Sequence, residues 1–291
     1  MSQPTHSDVP DDPAAWQAWI GRTQEAADTI DAGRAQALQA TLDDSGPPLE
    51  AGAPLPPLWH WLYFWWVAPS AALGPDGHPA RGGFLPPIEG LPRRMWAGSR
   101  VRFLRPLPVG AAAMRRSTVA DIRVKQGRSG RLAFVTVRHE IVHEAQTCLI
   151  DEHDIVYRPP PRPGETPRPG EPAPAEAPWR RDVKPDPVLL FRYSALTFNG
   201  HRIHYDRPYA VEVEGYPGLV VHGPLLATLM IELVRTARPG TRVAGFTFRA
   251  LRPVFDTAPF TVAGRPDAEG ADLWVTGADG FVAMRGRAAF A

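Results

Sequence analysis

Residues 219–234 read LVVHGPLLATLMIELV, an almost uninterrupted run of apolar side chains. A helix built from this run is apolar on every side, so it has to be buried on every side. Pro224 near its start suits the first helical turn, where no backbone N–H is needed. One strand-like stretch precedes this run at 189–197, and others follow it at 243–250, 258–264, 272–276 and 281–290. A long apolar helix followed by such strands predicts an antiparallel sheet wrapped around that helix.

The first half of the chain has a similar order of elements. Residues 58–71, LWHWLYFWWVAPSA, predict a second buried helix that ends at Pro69. An earlier helical pattern covers residues 16–42, with Asp11 and Asp12 as its candidate caps. Strand-like stretches then occur at 100–107, 114–125, 132–143 and 147–157.

A short echo indicates a duplicated unit. Residues 104–107 read LRPL and residues 251–254 read LRPV, and each tetrapeptide lies at the end of a predicted strand. The echo is short, but it coincides with the shared order of helix and strands. We therefore predict an α+β fold made of a tandem, or double, unit, in which each antiparallel sheet wraps around a long apolar helix. Pairing the two sheets edge to edge would protect their exposed strands and leave a groove between the units.

A proline-rich segment at 158–187 separates the two halves. It contains eleven of the 34 prolines of the chain and almost no apolar side chains, so it cannot bury enough surface to offset its ordering entropy. We predict an N-terminal unit with a helical extension at 1–157, a semi-rigid linker at 158–187 and a C-terminal unit at 188–291. A ligand for a proline-recognition domain is the alternative interpretation of the linker.

Charge and cysteine content narrow the function classes. The chain has 32 basic and 31 acidic residues, a balance that gives no general attraction to nucleic acid or to a membrane surface. Its one cysteine, Cys148, excludes an intrachain disulfide framework and a cysteine-based zinc site. The sequence has no apolar run of the length that a membrane span needs and no signal-peptide layout at its start. We therefore expect a cytoplasmic protein without nucleic-acid or membrane partners.

The densest polar cluster of the sequence covers residues 193–210. It combines two histidines, an amide, a carboxylate, two arginines and three tyrosines. Histidine exchanges protons near neutral pH, and Asn199, five residues before His204, can orient a water or a carbonyl. The cluster indicates a reaction site, although a hydrogen-bonded turn without chemistry would use the same residue types.

The residues in and after this cluster also carry a family resemblance. LFRYSALTFNGHRIHYDRPYA at 190–210, with EGYPGLVVHGPL at 214–225, resembles the hydroxyacyl-thioester dehydratase type 2 branch of the MaoC-like enzymes, which includes hydratases of C4-linked mesaconyl-CoA. The resemblance implies two hotdog units, a degenerate N-terminal one and a C-terminal one that carries the site. It implies reversible addition of water to an α,β-unsaturated acyl-CoA, with mesaconyl-C4-CoA as substrate and citramalyl-CoA as product. It also implies no metal and no cofactor apart from the coenzyme A of the substrate, and a monomer or homodimer of double-hotdog chains.

The resemblance assigns roles to individual residues. His204 falls on the general acid/base histidine, and Asn199 falls where the broader MaoC motif has an aspartate. An amide cannot abstract a proton, so Asn199 is expected to orient the water through its carbonyl oxygen. Gly223 corresponds to a glycine whose amide stabilises the thioester oxygen, and Asp206 is a candidate for fixing the tautomer of His204. The expected substrate-binding residues are His201, Arg202, Tyr205, Arg207 and His222, with Arg252 as a further candidate for the coenzyme A phosphates.

A competing motif occurs in the first half. His139-Glu140-Ile141-Val142-His143 matches the pattern with which zinc peptidases hold their metal on a helix. Its surroundings predict a strand, on which residues four apart are separated by about 13 Å, too far to share one zinc ion. We therefore reject the peptidase interpretation.

Three alternatives to hydration of a small acyl-CoA remain open. A dehydratase of longer 3-hydroxyacyl thioesters, of a fatty-acyl or itaconyl-CoA type pathway, would use the same residues. A non-catalytic thioester-binding hotdog is compatible with the asparagine at the usual aspartate position, and thioesterases also occur on hotdog folds. The aromatic run at 59–66 is expected to be core, or else to shape the cavity for the acyl part of the substrate.

Overall fold

The computed structural model describes residues 12–80, 83–127, 130–159 and 170–291. Ten strands within these ranges form one sheet, and every neighbouring pair in it is antiparallel. The strands are β1 (Thr23–Thr29), β2 (Arg93–Phe103), β3 (Ala112–Gly127), β4 (Gly130–His143), β5 (Gln146–Arg158), β6 (Trp179–Val183), β7 (Val243–Ala250), β8 (Phe260–Pro266), β9 (Gly270–Thr276) and β10 (Val282–Phe290).

The strand order has the symmetry of a duplicated unit. It runs β1-β3-β4-β5-β2-β7-β10-β9-β8-β6, so the five strands of the second half repeat the order of the first half in mirror sequence. The halves meet at β2 and β7, where Val101 lies opposite Phe246. The predicted tandem of two hotdog sheets is confirmed, and the sheets pair edge to edge as expected.

The LRPL and LRPV segments occupy equivalent positions in the two halves. The backbone N–H groups of Leu104 and Arg105 both donate to the carbonyl oxygen of Cys148 on β5. Those of Leu251 and Arg252 both donate to the carbonyl oxygen of Ala283, on the corresponding strand β10. The sequence echo therefore marks the same chain turn in both units.

Helix α4 (Gly223–Ala237) is the central helix of the second unit. Each residue from 225 to 234 is buried, and the helix contacts β8, β9 and β10. Burial of a side chain such as Leu225 or Ile231 contributes about 1.5–3 kcal/mol to stability. The prediction of a long apolar helix with Pro224 in its first turn is confirmed for this unit.

The first unit has no equivalent helix at 58–71, and that prediction is wrong. Trp59–Leu62 forms a short 3₁₀ turn between two residues with left-handed backbone, Leu58 (φ 71°) and Phe64 (φ 59°), and Ser70–Ala72 forms a second short turn. The aromatic side chains are fixed by long-range contacts, as in the hydrogen bond from Trp59 Nε1 to Glu232 Oε1 on α4 at 2.9 Å. Tertiary packing therefore overrides the helical preference of this run.

A shorter helix, α2 (Ala32–Thr41), takes the place of a long one in the first unit. Asp31 caps it by accepting a hydrogen bond from the N–H of Arg34. The predicted continuous helix at 16–42 is interrupted, because β1 lies between α2 and the short helix α1 (Pro13–Trp16). Asp12 caps α1 as expected, whereas Asp11 lies outside the described residues.

Two further expectations for the second half need correction. The predicted strand at 189–197 is a helix, α3 (Pro187–Leu196), because Asp186 accepts a hydrogen bond from the N–H of Leu189 and Pro187 suits the first turn. The end of the predicted linker holds strand β6, which pairs with β8 at the sheet edge. Residues 160–169 of the linker lie outside the described part of the chain.

The core is shared by the two halves. One hydrophobic cluster combines Leu38 and Val101 of the first half with Leu229 and Phe246 of the second. Among the described residues, no helix is long and apolar enough to cross a membrane. The division of the chain at 157 and 188 stays a prediction.

Candidate active site

A cavity of about 620 Å³ lies between the two units and is called the interunit cavity below. The second unit contributes Ser194, Asn199, Tyr205 and Pro224 to its wall. The first unit contributes an aromatic part and a polar part, which include Phe64 and a group of buried and partly buried histidines described below. Asn199 of the predicted site therefore faces a surface that the first unit supplies, whereas His204, His222 and Gly223 are not among the residues that line the cavity.

His204 ends a 3₁₀ turn, Arg202–His204, and its side chain is buried. Its Nδ1–H donates a hydrogen bond of 2.7 Å to the carbonyl oxygen of Val220. A carbonyl can only accept, so this bond fixes the tautomer and leaves the lone pair on Nε2. Burial lowers the pKa of His204 to about 4, so the imidazole is neutral at neutral pH and can accept a proton.

A second buried histidine packs against His204. The rings of His204 and His222 are stacked with centroids 3.8 Å apart. His222 Nε2 lies 2.8 Å from the hydroxyl oxygen of Ser194, which lines the interunit cavity. Burial and the neighbouring His204 hold the pKa of His222 well below its ordinary value, so both rings are neutral together.

The end of helix α3 fixes the position of Asn199. The N–H of Asn199 donates to the carbonyl of Ser194 at 2.8 Å, and the N–H of Phe198 donates to that of Ala195, the pattern of a Schellman motif. Phe198 occupies the left-handed position (φ 51°), where glycine is usual, and its ring stacks on Trp65 at 5.0 Å. Such strain costs about 1–3 kcal/mol and is typical of functional sites.

The side-chain oxygen of Asn199 already accepts one hydrogen bond. Its Oδ1 accepts a hydrogen bond of 3.0 Å from the N–H of His201, and Asn199 lines the interunit cavity. A carbonyl oxygen has two lone pairs, so Oδ1 retains one for a water molecule.

Helix α4 begins at Gly223, whose amide is expected to stabilise the thioester oxygen. Its N-cap is His222, and the first backbone bond of the helix runs from the N–H of Leu226 to the carbonyl of His222. Within the described residues, the N–H of Gly223 has no hydrogen-bond acceptor. A Cβ added at Gly223 would meet only Met284 Cε, at 3.9 Å. The helix start therefore combines a free donor and the positive end of the helix dipole with room for a ligand atom.

His201 contacts a loop of the first unit. Its ring lies 4.1 Å from that of His78 and 5.4 Å from that of His204. Burial lowers the pKa of His201 far below its ordinary value. Ligand atoms of Asp76, His78 and His201 all lie within 4.8 Å of one another, a spacing that could hold a metal ion. The loops are held together by Gly77 and Gly200, since a Cβ on Gly77 would lie 2.0 Å from the carbonyl oxygen of Gly200.

The predicted arginines are held by acidic side chains away from the cavity wall. Arg202 pairs with Asp206 at 2.7 Å and covers the ring of Tyr209, so Asp206 does not fix the tautomer of His204. Arg207 pairs with the buried Asp256, and Arg252 pairs with Asp279. None of these three arginines lines the interunit cavity.

Tyr205 does line the cavity, and its hydroxyl donates to the carbonyl of Gly200 at 3.0 Å. The substrate-binding roles given to Arg202, Tyr205 and Arg207 stay predictions.

Sequence reasoning missed a buried polar cluster in the first unit, called the Asp151 cluster below. Asp151 Oδ2 accepts hydrogen bonds from His60 Nε2 (3.1 Å), Trp61 Nε1 (2.8 Å) and His153 Nε2 (2.7 Å). All four side chains line the interunit cavity. The available signal was the placement of Asp151 and His153 two apart on one predicted strand, which puts both on one face.

His139 of the zinc-peptidase motif also lines the cavity. Its Nδ1 lies 2.8 Å from Ser117 Oγ, whereas His143 Nδ1 bonds the carbonyl of Ala112. Both histidines lie on strand β4, so the prediction of a strand at this motif is confirmed.

Comparisons with known proteins agree with this arrangement. Residues 58–256 match the family model described as hydroxyacyl-thioester dehydratase type 2. The chain belongs to this family. Members are hydratases and dehydratases, and the chain is accordingly an enzyme of the hydro-lyase class that acts on an acyl thioester.

Two curated relatives support the assignment to the hydroxyacyl-thioester dehydratase family. A protein of Chloroflexus aurantiacus named mesaconyl-C(4)-CoA hydratase is 52% identical over 273 residues, which cover 93% of this chain and 96% of the relative. The mitochondrial hydroxyacyl-thioester dehydratase type 2 of Schizosaccharomyces pombe is 29% identical over 249 residues, which cover 76% of this chain and 80% of the relative.

Solved structures show the same fold. HtdX of Mycobacterium tuberculosis is 19% identical with a TM-score of 0.64, and the match covers 92% of this chain and 99% of that one. A conserved hypothetical protein of the same organism, described as having a double hotdog fold, is 14% identical with a TM-score of 0.57, over 93% of this chain and 96% of that one.

Proposed function

We propose that this protein adds water across the α,β double bond of mesaconyl-C4-CoA and forms citramalyl-CoA. The 52% identical relative bears the name of this reaction, and the alignment covers nearly all of both chains. The observation that carries the chemistry is the fixed tautomer of His204, whose Nε2 lone pair is left free by the bond between Nδ1 and the Val220 carbonyl.

In the proposed mechanism His204 and Asn199 hold the attacking water. His204 Nε2 accepts one proton of the water, and Asn199 Oδ1 accepts a hydrogen bond from the other through its remaining lone pair. The water oxygen then attacks the β-carbon, which the conjugated thioester makes electrophilic. The electron pair of the double bond moves towards the thioester carbonyl and places negative charge on its oxygen.

Gly223 stabilises that negative charge. Its N–H is free and lies at the positive end of α4, so it can donate to the thioester oxygen as the enolate forms. The imidazolium of His204 then returns its proton to the α-carbon, which completes the addition of water. The pKa of about 4 makes this imidazolium a strong acid, so the return of the proton is favourable.

No metal takes part in the proposed reaction. The Asp76, His78 and His201 group could bind an ion beside the site, so this point needs a direct test. Dialysis against a chelator should leave the hydration rate unchanged. Loss of activity that added zinc restores would contradict the metal-free mechanism and would assign the group a catalytic ion.

Dehydration of a longer 3-hydroxyacyl thioester is the second candidate function. It is favoured by the name of the Schizosaccharomyces pombe relative and by the aromatic residues of the cavity wall, such as Phe64 and Trp66. The same residues would run the reaction in reverse. Rates with a panel of enoyl-CoA and 3-hydroxyacyl-CoA esters of increasing length distinguish the two candidates.

The test of the proposed function follows the absorbance of the conjugated enoyl thioester. We expect the wild-type protein to consume mesaconyl-C4-CoA without releasing free thiol, and His204→Ala to lose about 10²–10⁴-fold in rate. His143→Ala, at the far end of β4, is the matched control and should keep the wild-type rate. A folded His204→Ala variant with near wild-type hydration would refute the mechanism, and thiol release by the wild type would indicate a thioesterase.

A further inference from the structure

Arg115 on β3 lies beside the Asp151 cluster and lines the interunit cavity. Its Nε is buried without a hydrogen-bond partner, and among the described residues Arg115 forms no ion pair and no hydrogen bond. Its guanidinium lies 5.8 Å from the ring centre of Phe64. A charged group in this position costs free energy unless a partner compensates it.

Neighbouring arginines, unlike Arg115, pair with acidic side chains. Arg116, the next residue on the same strand, faces the opposite side and pairs with Glu25 at 2.8 Å. Arg100 and Arg138 pair with acidic residues on β5. The unpaired state of Arg115 is therefore specific to the cavity face of the sheet.

Asp151 does not supply the missing partner. Its Oδ2 accepts three N–H donors, and the two histidines among them hold the pKa of Asp151 well below its ordinary value. Its Oδ1 has no hydrogen-bond partner, so Arg115 does not donate to Asp151, although the charge of Asp151 raises the pKa of Arg115 that burial lowers. The guanidinium keeps its donors for a group that enters the cavity.

An anionic group on the substrate fits this position. A guanidinium presents two parallel N–H donors that match a carboxylate, and such a pair is strongest when water is excluded. Asn199 and Arg115 line the same cavity, one from each unit. A substrate whose double bond lies at Asn199 and whose short acyl end carries a carboxylate would bring that carboxylate towards the first unit.

We infer that Arg115 binds the free carboxylate of an enoyl-CoA substrate and selects for dicarboxylic acyl groups. This inference rests on the proposed hydration reaction. In mesaconyl-C4-CoA the free carboxylate is attached to the β-carbon, so its position also orients the carbon that water attacks. Arg115 is then a specificity-determining residue that the degenerate first unit contributes to the site of the second unit.

The experiment compares two substrates that differ at one position. 3-Methylcrotonyl-CoA has a methyl group where mesaconyl-C4-CoA has the free carboxylate and is otherwise the same. We expect Arg115→Gln to lower the ratio of kcat/KM for mesaconyl-C4-CoA to that for 3-methylcrotonyl-CoA by about 100-fold, equal to about 2.7 kcal/mol. Arg115→Lys should restore part of the ratio, because it keeps the charge but loses the two-pronged contact. Arg116→Gln is the matched control and should leave the ratio unchanged.

Several outcomes would overturn the inference. An equal loss with both substrates in Arg115→Gln would mean a structural role for the charge. A change of the ratio in Arg94→Gln instead would move the carboxylate to Arg94, which also lines the cavity. If Arg115→Gln does not fold, the wild-type protein is assayed with an analogue of mesaconyl-C4-CoA in which an amide replaces the free carboxylate. This analogue should be hydrated about 100-fold more slowly than mesaconyl-C4-CoA. An unchanged rate would refute the inference.

The wild-type result separates this inference from the proposed function. Hydration of neither thioester would refute the proposed function itself. Hydration of both with equal kcat/KM would leave the hydratase function intact and refute only the role of Arg115.

Discussion

The pH dependence of hydration tests the role of His204 most directly. Protonation of Nε2 removes the base, so kcat/KM should follow the neutral fraction of His204 in the free enzyme. Burial lowers the pKa of this histidine from 6.5 to about 4. The cost of charging the ring at this position is therefore about 3 kcal/mol, at about 1.36 kcal/mol per unit of pKa.

The expected profile differs clearly from that of an exposed histidine. At pH 5.5 a group with a pKa of 4 is about 97% neutral, whereas one with the ordinary pKa of 6.5 is about 9% neutral. We expect kcat/KM to stay flat from pH 8 down to about pH 5 and to fall through about pH 4. Burial lowers the pKa of His201 to about 2 and holds that of His222 well below its ordinary value, so neither ring should add a limb near pH 6.5.

The assay measures initial rates of enoyl thioester consumption at constant ionic strength between about pH 3.5 and 8, with circular dichroism at each pH to verify folding. His143→Gln is the control for a histidine outside the site and should reproduce the wild-type profile. A fall of activity centred near pH 6.5 in folded protein would refute the assignment, because it would require an exposed base or a different residue.

Three further predictions concern stability and the helix start. Gly223→Ala should keep its stability or gain up to about 1 kcal/mol, because the added Cβ meets nothing closer than 3.9 Å. It should lose hydration activity, because the methyl group occupies the space of the thioester oxygen. Thermal melting and kinetics check the two effects, and an active variant would contradict the role of Gly223. Gly98→Ala should lower stability by at least about 1–3 kcal/mol, because its Cβ would lie 2.2 Å from the carbonyl oxygen of Phe248 across the β2–β7 pairing. An unchanged melting temperature would refute this reasoning. The unfolding free energy should fall as pH drops from 6.5 to about 4, by on the order of 3 kcal/mol for His204 alone. The reason is that His204 takes up a proton in the unfolded chain over this range but not in the folded one. Denaturant titrations at several pH values check this, and an unfolding free energy that is flat over that window would contradict it.

The sequence predicted the elements that depend on local pattern. Strand-like stretches predicted the meanders of both units, and the apolar run before residue 234 predicted α4 with Pro224 in its first turn. The helix prediction failed at 58–71, where an equally apolar run forms only short 3₁₀ turns. The side chains there are held by partners far away in the chain, such as Glu232 for Trp59, and local preference carries no information about such partners.

The candidate site also has residues that the sequence predicted and a contact that it did not. Asn199, His204 and Gly223 lie within 25 residues of one another, and a contiguous motif was enough to single them out. Asp206 was a wrong candidate for fixing His204, since the carbonyl of Val220 does so and a backbone acceptor leaves no mark in a residue pattern.

The sequence by itself determined the duplicated sheet, the buried helix of the second unit and the chemistry-bearing motif, because local patterns and contiguous residues encode them. Only the tertiary structure decided what faces that motif. Arg115, Asp151 and His78 reach the interunit cavity from separate parts of the first unit, because the pairing of β2 with β7 sets one unit against the other. Packing between segments distant in sequence follows from shape and burial of the whole chain, and no local pattern specifies it.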